Sequence, residues 1–75
     1  MGSNMEEWQK RLLDENIELS NKIIKLFKII NNYANGSLNF NPNCSIELLT
    51  MQLNAMMNYQ NILRVRIEIE IPREE

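Results

Sequence analysis

The stretch LLDENIELSNKIIKLFKIINNY, residues 12–33, decides the fold, because its apolar residues follow the period of a helix and not that of a strand. Alternating steps of four and three residues connect Leu12, Asn16, Leu19, Ile23, Leu26, Ile30 and Tyr33. This is the rhythm of a coiled-coil seam, the line of side chains that faces a neighbouring helix. The sequence therefore predicts a helix over about 5–32.

A second seam of the same rhythm lies later in the chain and consists of Leu49, Leu53, Met56, Gln60, Leu63 and Ile67. Between the two seams, Asn35-Gly36 and Pro42 are turn signals, which predict a loop over 33–44. Asn43 or Ser45 is expected to cap a second helix over about 45–67. The predicted fold is all-α, an antiparallel two-helix hairpin with coiled-coil-like packing.

The register of the hairpin follows from the loop. Antiparallel packing about this loop brings Leu26 opposite Gln52 and Leu53, Leu19 opposite Tyr59, and Leu12 opposite Arg66 and Ile67. Arg66 is then expected near Asp14 or Glu15, as an ion-pair partner.

The C-terminal end allows two interpretations. Residues 64–71 alternate charged and apolar side chains, which is a strand period, and this favours an extended tail. Arg64 with Glu68, and Arg66 with Glu70, are also pairs four residues apart that stabilise a helix. We favour helix to about residue 67, and Pro72 ends either form.

The chain is short enough for one domain at most, expected over 5–71, with residues 72–75 as a tail. Met1-Gly2-Ser3-Asn4 resembles a remnant of an expression vector, which places the expected natural start at Met5. A chain of this size buries a marginal core and usually needs a disulfide, a metal or a partner subunit. Cys44 is the single cysteine and no His is present, so we expect no disulfide within the chain, no metal and no cofactor.

A partner subunit remains, and the apolar arcs of both helices are wider than one neighbouring helix covers. We therefore expect a homo-oligomer. Its predicted interface is formed by Trp8, Leu13, Asn16, Ile17, Ile24, Phe27, Leu48, Met56, Tyr59 and Ile62. Asn16 stands at a seam position, where a polar residue can fix register and oligomeric state; the alternative is that it faces solvent at the edge of the seam.

Catalysis is not expected, because Cys44 has no His to act as its base and the chain has no glycine-rich phosphate loop. The net charge of -2 argues against generic nucleic-acid binding. No apolar run reaches the roughly 20 residues that span a bilayer. A binding role is left.

The candidate ligand contacts are the basic side chains and one aromatic side chain that can stack on a base. These are Arg11, Lys22, Lys25, Lys28, Arg64, Arg66 and Tyr59. In a symmetric oligomer, such residues could converge on a phosphate-bearing ligand. The alternative for the three lysines is a solvated strip that matches the helix dipole.

The two helices also carry a resemblance. On the first helix the resemblance lies in Trp8-Gln9, Arg11-Leu12, Glu15, Leu19, Lys22-Ile23 and Lys25-Leu26. On the second helix it lies in Leu48-Leu49, Gln52-Leu53, Ala55-Met56, Tyr59, Ile62-Leu63 and Arg66-Ile67. This residue pattern resembles that of a family of short phage and prophage proteins labelled crAss-phage-related. The resemblance covers most of residues 5–67 and implies a phage setting.

The expected function is thus that of a non-enzymatic phage accessory protein that binds as a homo-oligomer in the cytoplasm of the infected bacterial host. It would counter host defence by sequestering an anionic signalling nucleotide or by blocking a host protein. The alternative is a small structural or assembly adaptor without a small-molecule site.

Overall fold

Two antiparallel helices form the molecule, as the computed structural model shows for residues 5–71. Helix α1 spans Glu7–Asn35 and helix α2 spans Ile46–Glu70, and they pack side by side. The predicted helical hairpin is confirmed. The hairpin is a rod with extents of 51 × 20 × 20 Å. The expectations for residues 1–4 and 72–75 lie outside the described residues.

The end of α1 lies three residues beyond the predicted one, because the turn itself caps the helix. Gly36 adopts the left-handed conformation with φ 74°, which glycine reaches without steric cost. Its N–H donates to the Tyr33 carbonyl at 3.2 Å, and the Ser37 N–H donates to the Asn32 carbonyl at 2.8 Å. This is the capping geometry that ends many helices.

Of the two predicted caps of α2, Ser45 is the one used. Its hydroxyl accepts a hydrogen bond from the Leu48 N–H at 3.1 Å. The loop is closed nearby by Tyr33, whose hydroxyl donates to the Cys44 carbonyl at 3.3 Å.

The C-terminal end of α2 is helical to Glu70, three residues beyond the predicted end, so the extended alternative for residues 65–71 is not formed as far as Glu70. Arg66 Nε contacts Glu70 Oε2 at 3.0 Å, one of the pairs that favoured a helix. Gln9 Nε2 donates to the Glu70 carbonyl at 3.0 Å, and Gln9 Oε1 accepts from the Glu6 N–H at 2.8 Å. One side chain therefore caps the start of α1 and ties it to the end of α2.

The core consists of one line of leucines between the helices. The buried apolar side chains are Leu12, Leu19, Leu26, Leu53 and Leu63. All five belong to the predicted seams, and burying each contributes about 1.5–3 kcal/mol. Leu63 alone among them is completely covered, at 0% exposure. Ile23, Met56, Ile67 and Ile71 pack against this line and are partly buried.

A polar layer interrupts the leucines. Gln60 is buried, and its Nε2 donates to the Ser20 hydroxyl on the other helix. Asn16, one seam position before Leu19, has its Oδ1 buried, without a hydrogen-bond partner among the described residues. Of the two interpretations of Asn16, the structure therefore places its side-chain oxygen inside the seam.

Candidate functional site

One flank of the hairpin is defined by a contact between Tyr59 of α2 and Glu15 of α1. The Tyr59 hydroxyl donates to Glu15 Oε2, while the ring remains 43% exposed. Both residues directly precede seam positions, so a step of seven residues along each helix stays on the same flank. Seven residues before Glu15 is Trp8, and seven residues after Tyr59 is Arg66; because the helices are antiparallel, these two lie at a similar level. In the other direction, the same step leads to Lys22 on α1 and Gln52 on α2. We call these six residues the Tyr59 flank.

The electrostatics of this flank are centred on Tyr59. The hydrogen bond to Glu15 raises the pKa of the Tyr59 hydroxyl above its ordinary value of 10.0. Desolvation and the negative charge of that carboxylate act in the same direction, whereas the positive charge of Arg66 acts against them. The hydroxyl therefore stays protonated at neutral pH and can donate a hydrogen bond.

Arg66 does not form the ion pair that the register suggested with Asp14 or Glu15. It pairs instead with Glu70 on its own helix, at 3.0 Å. The Arg66 side chain stays 48% exposed, and a surface pair of this kind contributes at most about 1 kcal/mol. The guanidinium can therefore exchange Glu70 for a stronger anionic ligand at little cost.

The remaining basic candidates divide between the sides of the molecule, and all of them are exposed. At about 100° per residue, Arg11 and Lys25 lie on the outer row of α1 that borders the Tyr59 flank, and Lys28 lies farther round. Arg64 lies on the opposite side of α2. The structure thus groups Tyr59, Arg66 and Lys22 on one flank, bordered by Arg11 and Lys25, and separates Arg64 and Lys28 from them.

The predicted interface residues fall on two different sides as well. Leu13, Ile17, Ile24 and Phe27 form a strip on α1 that faces away from the Tyr59 flank; Leu13 is half-buried and the other three are more than half exposed. Leu48, Tyr59 and Ile62 are exposed on α2, on the side of Trp8. Asn16 and Met56, by contrast, belong to the intramolecular seam.

The loop contributes a shallow depression at the hairpin end. It is lined by Tyr33, Gly36, Leu38, Phe40, Asn41 and Pro42. Leu38 is half-buried there, whereas Phe40 is exposed. This depression has no charged residue in its lining, so it offers little to an anion.

Residues 5–71 hold neither a metal-binding cluster nor a membrane-spanning segment. No cluster of three or more Cys, Asp or Glu is arranged there to bind a metal ion. Neither helix has a stretch apolar enough to cross a membrane.

The Tyr59 flank combines exposed aromatic rings with cations. Aromatic faces stack on nucleobases, and guanidinium and ammonium groups bind phosphate oxygens. Sequence reasoning named Trp8, Lys22, Tyr59 and Arg66 separately and expected Glu15 near Arg66, but it did not group Glu15 and Gln52 with Tyr59. The residue spacing could have shown this grouping. Five of the six residues directly precede a seam position, and Trp8 lies seven residues before Glu15 on the same row of α1.

The amino-acid sequence of this chain matches the model of one protein family, Sequestin. The match covers residues 6–69, which is nearly all of both helices. The chain belongs to the Sequestin family. The Sequestin name suggests a role in binding and sequestering, in agreement with the expected non-enzymatic binder. The relation to crAss-phage proteins stays a prediction.

The matched range of the Sequestin family includes every residue of the Tyr59 flank as well as the loop. Neither the curated proteins nor the solved structures contain a match to this chain.

Proposed function

We propose that this Sequestin-family protein sequesters a small anionic nucleotide signal as a homo-oligomer, and thereby blocks a defence signal in a bacterium infected by the phage that encodes it. The cytoplasm of the infected host is the proposed location. Binding alone suffices for this role, because a protein that holds a signalling molecule lowers its free concentration without any chemical step.

The observation that supports a nucleotide over other anions is the arrangement of the Tyr59 flank. An anion such as inorganic phosphate needs only positive charge, whereas a nucleotide also offers a flat base. Trp8 and Tyr59 provide exposed rings at 48% and 43% exposure, and Arg66 provides a guanidinium near Tyr59. Stacking on an aromatic ring contributes about 1–3 kcal/mol per base, which decides between these ligands.

Trp8 makes the proposal directly testable, because it is the single tryptophan of the chain. Cyclic dinucleotides, linear dinucleotides and mononucleotides are titrated against the protein while Trp8 fluorescence is followed. A nucleotide that stacks on this flank should change the emission and also raise the melting temperature, since it binds the folded state. Inorganic phosphate and an uncharged nucleoside are the ligand controls.

Two neighbouring arginines provide the matched protein variants. Arg66→Ala should weaken nucleotide binding about tenfold or more, because it removes a charged contact to phosphate, typically about 1.5–3 kcal/mol. Arg64→Ala removes the same charge from the opposite side and should leave binding unchanged. Equal binding by both variants, or no response of the wild type to any nucleotide, would refute the proposal.

The second candidate is a binder of a host protein or an assembly adaptor without a small-molecule site. The observation in its favour is the set of exposed apolar side chains on both helices, which offer a protein partner more contact than they offer a nucleotide. Retention of a host protein on the immobilised chain, lost in Ile62→Glu and kept in Arg66→Ala, would support this candidate.

A further inference from the structure

We infer that the outer face of α2 is a second coiled-coil seam, and that its occupant is the same face of a second copy of this chain. The inference rests on the self-association in the proposed function and adds to it the face and the helix through which the copies meet. It does not depend on the identity of the ligand.

The exposed apolar residues of α2 have the spacing of a coiled-coil seam. Five large apolar side chains of this helix, Leu48, Met51, Ile62, Val65 and Ile69, are each at least 53% exposed. With Ala55 and Asn58 between them, they follow alternating steps of three and four residues over 22 positions. This is the rhythm of a coiled-coil seam, and it is separate from the seam that faces α1.

The distribution of charged residues differs between the two helices. From Leu48 to Leu63 the helix has no charged residue at all, although much of this segment is exposed in the single chain. A solvated helix face normally has charged side chains, and a helix that is apolar on several sides is normally buried. Helix α1 differs, since Asp14, Glu18, Lys25 and Lys28 lie on its outer side. We therefore place α2 in the centre of the assembly and α1 at its outside.

The accessible surface area of the single chain is large for its mass. The single chain exposes 6165 Å², whereas a compact monomer of 8.9 kDa is expected to expose about 4,800 Å². The excess is on the order of 1,000 Å². A stable interface buries about 800 Å² on each partner, so one α2–α2 contact would remove most of this excess. An isologous contact between identical faces also closes by itself, as most homodimers do.

The position of this seam ties it to the Tyr59 flank. Tyr59 and Arg66 each lie four residues after one member of the outer seam and three residues before another, at its rim. A second copy on the outer face would therefore border the aromatic and cationic side chains of the first. The partner copy would then line one side of each proposed nucleotide site.

Two isoleucines with the same exposure provide the matched test. Ile62 on the outer seam and Ile17 on α1 are both 58% exposed, so each glutamate variant should keep its helicity by circular dichroism. The wild type is expected to have at least twice the single-chain mass of 8.9 kDa in light scattering. Ile62→Glu should lower this mass to that of a single chain, and Ile17→Glu should not.

Cross-linking tests the face directly. In a Cys44→Ser background, Asn58→Cys places a thiol at the middle of the outer seam, where the counterpart of the partner is near in either orientation. Coiled-coil axes are about 8–10 Å apart, so a bismaleimide of about 10 Å should link two chains. Asn21→Cys, on the outer side of α1, should give no linked dimer.

Three results overturn the inference: a wild type with the mass of one chain, an Ile62→Glu variant with the mass of the wild type, or linkage through Asn21→Cys instead of Asn58→Cys. The nucleotide proposal fails separately. A single chain that binds nucleotide would refute the outer seam and the self-association but leave the nucleotide site standing, and an intact oligomer that binds no nucleotide would refute only the nucleotide site.

Discussion

Replacement of Asn16 by leucine should stabilise the protein, although it alters a residue of the core. The Oδ1 atom of Asn16 is buried without a hydrogen-bond partner among the described residues. Such an oxygen costs about 1–3 kcal/mol, because folding removes its bonds to water and returns nothing. Leucine has the same number of side-chain heavy atoms with the same branching at Cγ, removes this loss and extends the line from Leu12 to Leu19.

The size of the effect is large for a chain of this length. At about 0.05–0.15 kcal/mol per residue, a domain of 75 residues is stable by roughly 4–11 kcal/mol. For such domains, 1 kcal/mol shifts the melting temperature by about 4–8 °C. Asn16→Leu should therefore raise the midpoint by on the order of 10 °C in thermal unfolding followed by circular dichroism. All variants must be compared at one protein concentration, since the proposed self-association would make the midpoint concentration-dependent.

Asn21→Leu is the matched control, because Asn21 is exposed on the same helix. It gains the same helix propensity, about 0.5 kcal/mol, without any change in the seam. Only the difference between the two variants reports on the buried oxygen. If Asn16→Leu is no more stable than Asn21→Leu, then the Oδ1 atom has a partner in solution, and the reasoning is refuted.

Three further perturbations test separate parts of the structure. Leu63→Ala should cost about 2–5 kcal/mol in urea unfolding, because Leu63 is 0% exposed; a loss under 1 kcal/mol would contradict the placement of the core. Ser45→Ala should cost about 1 kcal/mol through the lost cap of α2, and Ser45→Asp should restore it. In a Tyr33→Phe background, Glu15→Ala should lower the pKa of Tyr59 toward 10.0, as read from tyrosinate absorbance. Because the folded pKa of Tyr59 is raised, the stability from its bond to Glu15 is present below the ordinary pKa and is lost as pH rises through the raised one; an unchanged titration would exclude the bond.

The fold was largely predictable because two helices on a short loop have few ways to pack. The seams include every leucine of the core, and two long-range contacts agree with the predicted antiparallel register: Ser20 with Gln60, and Gln9 with Glu70. Tyr59, which was expected opposite Leu19, donates instead to Glu15, one helical turn earlier on α1. The exact helix ends were less predictable. The end of α1 depends on the backbone of Gly36, and the last residue of α2 accepts a hydrogen bond from Gln9; neither contact has a periodic pattern.

The candidate site was predictable in its residue types but not in its grouping. Arg64 and Arg66 are equivalent in a list of basic residues, yet a difference of two positions is about 200° on a helix, which puts them on opposite sides. The ion pair expected for Arg66 failed for a related reason. Glu70 is one helical turn away on the same helix, whereas Glu15 already accepts the hydroxyl of Tyr59.

The sequence by itself determined the two amphipathic helices, their antiparallel order and the absence of charge from Leu48 to Leu63, because these depend only on residue spacing and type. The tertiary structure alone decided which polar groups find partners. It joined Tyr59 to Glu15, satisfied Gln60 through Ser20 and left the Asn16 oxygen without a partner among the described residues. The physical reason is that a hydrogen bond requires two atoms within about 3 Å, and only the packing of one helix on the other fixes distances that short.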